Sequence, residues 1–403
     1  MKYPELAHKK ECTGCMACVD SCRFGALTSC VGTDGHLYPY VNVKLCVKCG
    51  ACSASCPIIT KSYLKKNEYV VKPYGAWSND LPQRLLSASG GIFAALANKF
   101  LLEGGCVVGA IIDGFVVKYV LLEKLEDLHF LQGSKYQQGD LSGIYIRVKE
   151  KLNKGVKVLF SGVTCQIGGL FAFLKKRYEN LYTVDIICAG FPSLLPMRQF
   201  IKENSNVVGI KSFRDKDLGW KSKNFKYALK GYGLNKQITD FGYKNLPILA
   251  FSSGLTNRYS CYACKFARQN RLSDLTIGDL WGDENFKDEH NNGISLVVIR
   301  SERGQKLIEN SNITFHEISW QEALNANTRL IHGRSFLNFN IFRKYMEFVY
   351  KYSSYQSLMN LYQGRGFMGL IYRMNIVIGH KATFLWTKVC VKRFLNSLKN
   401  YEG

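Results

Sequence analysis

The sequence predicts an α+β/α/β fold: a small cysteine-rich domain first, then a larger mixed α/β domain, then a helical C-terminal tail. Three observations carry this. A four-cysteine pattern occurs twice near the N-terminus, as Cys12-x-x-Cys15-x-x-Cys18-x-x-x-Cys22 and Cys46-x-x-Cys49-x-x-Cys52-x-x-x-Cys56. A strand–helix–strand rhythm runs from Lys157 to Ile187. A basic stretch interleaved with apolar residues closes the chain.

The two cysteine runs stand 34 residues apart, and Pro57 follows the second. This is the ligand set of a bacterial-type 2x4Fe-4S ferredoxin domain. Three thiolates of a run hold one cubane, and the fourth crosses to the other. The pattern assigns Cys12, Cys15, Cys18 and Cys56 to one 4Fe-4S cluster, and Cys46, Cys49, Cys52 and Cys22 to a second. Zinc sites favour paired CxxC motifs instead, and a disulfide framework needs an oxidising compartment. Cys22 is followed by Arg23 where the pattern prefers proline; that proline shapes the turn and binds no metal. Residues 1–62 form this domain. Because clusters carry single electrons, the protein handles electrons.

At 403 residues and 47% apolar content, the chain is long enough for two or three domains. Met1 to Lys10 has no apolar signal core. Together with oxygen-sensitive thiolates this predicts a cytoplasmic protein. No apolar run reaches the ~18 residues of a transmembrane helix. The net charge of +23 predicts attraction to acidic partners.

Residues 61–68 read as a polar linker, and a new apolar rhythm starts at Tyr74. Ser89-Gly-Gly91 opens a helix carrying Ile92, Phe93, Leu96, Phe100 and Leu101, which Gly104-Gly105 ends. Residues 106–112 read as a buried strand. Next come a strand at 157–161, a loop at 162–165, a helix at 166–177 and a strand at 181–187. Residues 207–234 have β texture, 294–300 read as a strand and 304–309 as a helix. Ligands of open α/β sheets sit at the C-terminal ends of strands, where Cys165 and Cys188 both fall. Cys261-x-x-Cys264 follows later. Taken singly, Cys165 and Cys188 read as buried small hydrophobes, and the CxxC fits a zinc half-site, a redox pair or half of a cluster site. Gly364-x-Gly366-x-x-Gly369 lacks the preceding strand and following acid of a dinucleotide site, so it reads as a chance match.

Five blocks are specific in combination. They are Ser89-Gly-Gly91, Gly133-Ser-Lys-Tyr-Gln137, Phe160-Ser-Gly-Val-Thr-Cys-Gln166, Val184-Asp-Ile-Ile-Cys-Ala-Gly-Phe-Pro-Ser193, and Cys261-x-x-Cys264 followed by Ser273-Asp-Leu-Thr-Ile-Gly-Asp279. In this order they resemble the coenzyme F-420 hydrogenase/dehydrogenase beta-subunit family. Val163-Thr164 stands where that family commonly has a proline. The resemblance implies a flavin, usually FAD, and a third 4Fe-4S cluster on Cys165, Cys188, Cys261 and Cys264. Cys30, Cys106 and Cys390 remain as bystanders. Residues 70–333 would then be a flavin-binding catalytic domain. A flavin converts one-electron cluster chemistry into two-electron chemistry. Ser89, Gly90 and Gly91 can offer N–H groups to its pyrophosphate. Gly133, Ser134, Lys135, Tyr136 and Gln137, with Thr164 and Gln166 around the cysteine, complete the expected flavin contacts. Lys135 is the expected catalytic cation, set against the phosphates or the reduced ring. Without the resemblance, the two glycine motifs read as a helix cap and a helix stop.

From Ile331 to Gly403 there are eleven Lys or Arg against two Glu. As a helix, Arg365 to Asn400 puts five of these cations within an arc of roughly 100°. That pattern fits either a solvated face or peripheral contact with anionic lipid at the inner membrane face. The expected function is an iron–sulfur flavoprotein oxidoreductase. It would exchange a hydride equivalent with coenzyme F-420 or a biosynthetic metabolite, for example in polysaccharide biosynthesis, with ferredoxin as a candidate donor. The rival is a non-catalytic electron-transfer subunit of a larger hydrogenase or dehydrogenase. No recognised nucleic-acid module accompanies the charge, so no nucleic acid is expected.

Overall fold

The computed structural model describes residues 4–64, 69, 71–214, 216, 219, 220, 229–233, 237–240, 245–282, 285–309, 311–333, 346–366 and 369. Thirteen strands are placed. In chain order they are β1 (Leu27–Val31), β2 (Leu37–Val41), β3 (Lys72–Ser78), β4 (Cys106–Asp113), β5 (Val116–Leu122), β6 (Val158–Val163) and β7 (Leu181–Ile186). The others are β8 (Val207–Ser212), β9 (Leu229–Gly233), β10 (Gln237–Asp240), β11 (Leu275–Asp279), β12 (Ser295–Ile299) and β13 (Ile313–Glu317).

Eight strands form one sheet in the order β13-β3-β12-β11-β7-β6-β4-β5. Its centre, β4-β6-β7-β11, is parallel. The remaining pairs are antiparallel. The parallel centre is buried on both faces, which is why its strands read as continuous apolar runs. Along β6, Val158 and Phe160 enter one core and Leu159 the other; along β4, Cys106 and Val108 oppose Val107 in the same way. Helices Ile144–Asn153 and Thr164–Leu174 cover the first face, and helix Ile92–Leu102 the second.

β6 is longer than the sequence suggests. Gly162 and Val163 pair with Asp185 and Ile186. The helix then starts at Thr164, and the Gln166 side chain accepts the Val163 N–H at 2.9 Å. Cys165 therefore lies in the first turn of a helix, not in a loop.

The N-terminal segment is not an appendage. Cys15, Met16, Ala17 and Leu37 share a core with Leu141, Tyr145, Phe160, Ile167 and Leu170. The Asp20 carboxylate accepts the N–H groups of Gly143 (2.6 Å) and Tyr145 (2.9 Å), at the start of the helix Ile144–Asn153. The expected linker is likewise docked where it is described: the Tyr63 ring packs 5.4 Å from Phe266, and Arg268 donates to the Tyr63 carbonyl.

In the C-terminal region, the helices Met346–Tyr352 and Tyr355–Gln363 pack against the helix Leu246–Ser253. The Tyr350 and Tyr362 hydroxyls lie 2.9 Å apart. The proposed basic amphipathic helix falls almost wholly outside the described residues. Among the described residues, no helix is long and apolar enough to cross a membrane.

Candidate functional site

Cys12, Cys15, Cys18 and Cys56 line one small cavity of about 20 Å³, together with Gly14, Met16 and Pro57. Gly14 and Met16 adopt left-handed backbone (φ 66° and 62°). That turn brings three sulfurs of one loop to the same side. A Cβ on Gly14 would strike Gln138 and Arg258, and both side chains hold the loop. Gln138 donates to the carbonyls of Thr13 and Gly14, and Arg258 to those of Cys12 and Leu37. Burial pushes the Cys15 thiol up to about 12 and Cys18 higher still, with the charges of neighbouring cysteines adding to both. Cys52 is raised by burial too, with Cys22 contributing. Cys49 of that second run is exposed.

A third group forms at the C-terminal edge of the parallel strands. Cys188 follows β7, Cys261 sits in the short helix Tyr259–Tyr262, and Cys264 lies two residues beyond that helix. Burial raises Cys165 well above its ordinary value, and Cys264, Cys188 and Cys261 raise it further. Burial likewise pushes Cys188 up to about 11 and Cys261 up to about 12. The Gly190 N–H donates to Cys188 Sγ at 3.2 Å, and the Phe191 N–H to Cys261 Sγ at 3.4 Å.

Converging thiols that repel one another's charge, with backbone N–H groups aimed at them, suit a cation-rich iron–sulfur group. Among the described residues, no three His, Cys, Asp or Glu side chains are grouped closely enough to hold a single metal ion.

The groups adjoin. Cys15 contributes to the raised value of Cys165, and a Cβ on Gly169, in the helix that carries Cys165, would sit 2.9 Å from Cys15 Sγ. On its other side the third group meets a cavity of about 540 Å³, lined by Cys188 to Pro192 among others. That volume is within the range of small-molecule sites.

Of the expected flavin contacts, Ser89, Gly91, Gly133, Ser134, Lys135, Tyr136 and Gln137 line this cavity. Gly90, Thr164 and Gln166 do not. Gly90 donates to Ser295 and accepts from Ser78, and a Cβ there would lie 2.5 Å from the Ala76 carbonyl oxygen, so sheet packing explains the glycine. The Thr164 hydroxyl donates to Asp185 at 2.6 Å. Gln166 Oε1 accepts from Tyr119 and Val163.

Lys135, the expected cation for flavin, lines the cavity and also holds its own turn. Its Nζ donates to the carbonyls of Phe130, Leu131, Gln132 and Gly133 at 2.6–3.2 Å, capping the helix Leu128–Leu131. Burial pushes it down to about 7. The half-buried Arg329 also lines the cavity, and its charge lowers Cys188.

Residues 155–319 match the family described as the C terminus of the beta subunit of coenzyme F420 hydrogenase/dehydrogenase, and residues 8–28 match the 4Fe-4S binding domain. The chain carries the C-terminal domain of the coenzyme F-420 hydrogenase/dehydrogenase beta subunit behind a 4Fe-4S binding domain. It is 25% identical over 354 residues to an uncharacterized protein of Methanocaldococcus jannaschii, covering 78% of this chain and 91% of that one. It is 28% identical over 174 residues to the F subunit of the F(420)H(2) dehydrogenase of Methanosarcina mazei, covering 41% of this chain and 49% of the relative. A chain of the F420-reducing [NiFe] hydrogenase complex of Methanosarcina barkeri aligns with a TM-score of 0.43 at 17% identity, over 66% of this chain and 90% of that one.

A buried polar network joins three of the motif blocks. Asp185 is fully buried, and its carboxylate accepts from Thr164, Ser273, Thr276 and Arg271. Arg271 in turn donates to the carbonyls of Arg329 and Leu330. Burial alone would raise the Asp185 carboxyl; Arg271 and Arg300, with the Ser273 and Thr164 hydroxyls, outweigh it and hold the group below its ordinary value. The network ties the residue before Cys165 to the strand before Cys188. One signal in the sequence points to it: an aspartate inside the apolar run Val184-Asp-Ile-Ile.

Proposed function

We propose that this chain is an iron–sulfur flavoprotein oxidoreductase. In this reading Cys12, Cys15, Cys18 and Cys56 hold one 4Fe-4S cluster, Cys46, Cys49, Cys52 and Cys22 a second, and Cys165, Cys188, Cys261 and Cys264 a third. FAD would occupy the 540 Å³ cavity. When bound, it supplies the conversion between single electrons and a hydride equivalent. The observation that carries the proposal is the series of cysteine groups, the first two of which meet where Cys52 adds to the raised value of Cys18. It runs from exposed Cys49, through Cys15 beside Cys165, to Cys188 on the cavity wall.

The protein's own residues then take definite parts. The helix Ile92–Leu102 begins at Gly91 without a side-chain cap, and Gly91, Ile92 and Phe93 line the cavity. Its first N–H groups suit a pyrophosphate. Both polar atoms of the buried Gln137 amide lack a hydrogen-bond partner. Gln137 also lines the cavity, and its amide has the donor and the acceptor that a flavin ring edge takes. Arg329 supplies a cation beside Cys188. The acceptor is an organic two-electron compound: coenzyme F-420, as the name of the Methanosarcina mazei relative suggests, or a biosynthetic metabolite.

Anaerobically purified protein should contain about twelve irons and twelve labile sulfides per chain, with one FAD. Cys165→Ser and Cys188→Ser should each lose one cluster's iron, because a hydroxyl replaces a soft thiolate ligand. Cys30→Ser should lose none. Iron near eight in the wild type would remove the third cluster, and a chain devoid of flavin would leave only an electron relay.

A further inference from the structure

We propose that the surface around Cys49 docks a small acidic one-electron carrier protein of the iron–sulfur type. The inference rests on the electron-transfer reading above and adds where the electrons enter.

Five large apolar side chains stand in solvent here: Phe24 (52% exposed), Tyr40 (59%), Val43 (55%), Leu45 (50%) and Val47 (52%). They are not scattered. Val43, Leu45 and Val47 share one loop with Cys46 and Cys49. The Asn42 N–H donates to the Ala26 carbonyl at 2.8 Å, which brings that loop against the turn bearing Phe24. A contiguous exposed apolar patch marks an interaction surface.

The rim of the patch selects the partner. Arg23 and Lys44 are exposed, and Lys48 is half-buried. Between Ser21 and Ser62 the only acid is Asp34. It is buried, accepts from Tyr38 and pairs with Lys9. The patch is therefore apolar inside and basic around, on a chain of charge +23. A second copy of this chain would set like charges against each other. An acidic partner meets the rim with opposite charge, which accelerates encounter and fixes orientation. Burying Val43, Leu45 and Val47 gives a nucleic acid nothing to read. A lipid surface would seal the exposed Cys49 away from any donor. A redox protein gains most, since the surface holds the outermost cysteine group.

Each encounter moves one electron. The carrier's cluster is oxidised by one, and the cluster on Cys46, Cys49, Cys52 and Cys22 is reduced by one. Two encounters deliver the pair that a two-electron acceptor needs, with its proton taken from solvent.

The test uses the full-length, cluster-loaded protein and a purified acidic bacterial-type ferredoxin. Stopped-flow measures the second-order rate of cluster reduction by the reduced ferredoxin. Calorimetry measures binding of the oxidised ferredoxin, without turnover. The rate should fall about tenfold or more between low and high salt, as steering is screened. Lys44→Glu should lower the rate about tenfold, and Leu45→Ser should weaken binding about tenfold, while Lys154→Glu, outside the patch, changes neither. Reduction by dithionite should match the wild type in every variant, and so should iron content. Docking is wrong if ferredoxin reduces Lys44→Glu and Leu45→Ser as fast as the wild type while dithionite reduces both. The electron-transfer reading itself fails if dithionite reduces nothing. A wild-type dimer that Leu45→Ser dissolves, or anionic-vesicle binding that Lys44→Glu abolishes, would give the patch to another occupant and overturn the proposal.

Discussion

Lys135 serves four backbone carbonyls with three N–H donors, at the wall of the cavity. Its ammonium supports the turn that places Gly133 to Gln137. Burial depresses its folded-state value to about 7, whereas an unfolded lysine keeps its proton to about pH 10.4. Between those limits the unfolded chain binds the extra proton, so this residue's contribution to stability rises with pH. Comparing wild type with Lys135→Met in urea at pH 7, 8 and 9 isolates the effect, since the raised thiols cancel in the difference. The wild type should gain relative to the variant as pH rises; a flat difference would mean that the carbonyls keep the amine protonated throughout. Arg329 is the complementary case. Its charge favours the thiolate of Cys188, and by the same Coulomb argument it favours an added electron nearby. Arg329→Leu should make the midpoint potential of the third cluster more negative, measured by spectroscopically monitored redox titration. An unchanged potential would place that cation elsewhere. The expectation for Lys135 rests on the resemblance of Gly133-Ser-Lys-Tyr-Gln137 to a family motif; by itself the segment reads as a helix stop. Nothing local reveals that the chain reverses around it and offers its own carbonyls.

At the scale of elements, the helix Thr164–Leu174 joins the two halves of the site. Its N-terminal turn carries Cys165, and its middle presents Gly168 and Gly169 to Phe266 and Cys15. The periodicity around it was legible. β6 and β7 read as adjacent parallel strands because strands buried on both faces keep continuous apolar runs. The helix start was misplaced because Gly162 and Val163 look like a loop in sequence, yet pair with Asp185 and Ile186. The two glycines gave no warning, since only the fold shows what lies opposite. A methyl group on Gly169 would fall 2.9 Å from both Cβ and Sγ of Cys15 and from the Tyr145 hydroxyl. Overpacking of this kind costs about 1–3 kcal/mol, and here it pushes on a ligand loop. Gly169→Ala should therefore lower the thermal midpoint and reduce iron occupancy together, read by calorimetry and iron assay on the same preparation. A lower midpoint with full iron would mean that the helix yields instead of the loop.

For the whole molecule, the question is whether the cysteine-rich segment stands alone. Its spacing reads as a self-contained module ending near residue 62, with a linker after it. The physical connections run the other way. Met16 and Leu37 are buried against the larger domain, and each such side chain contributes ~1.5–3 kcal/mol by leaving water. The carboxylate of Asp20 accepts the N–H groups of Gly143 and Tyr145, where Gly143 caps the helix Ile144–Asn153 without a side chain of its own. Arg258, fully buried, sends its guanidinium to Cys12 and Leu37 and stacks over Tyr38 at 4.4 Å. Removing residues 1–60 would take away the Cys12 and Leu37 carbonyls that hold this guanidinium and the Tyr38 ring it stacks on. It would also uncover Tyr145, Ile167 and Leu170 on the sheet's first face. A chain lacking residues 1–60 should therefore lose flavin as well as two clusters, bind a hydrophobic dye and melt without a cooperative transition. If it is soluble, melts cooperatively and binds one flavin, the larger domain holds its own core, and the shared packing is a contact between finished units. In the intact protein the shared core sets Cys15 against the helix that bears Cys165. With clusters held on both, as proposed, that packing would set the distance between them.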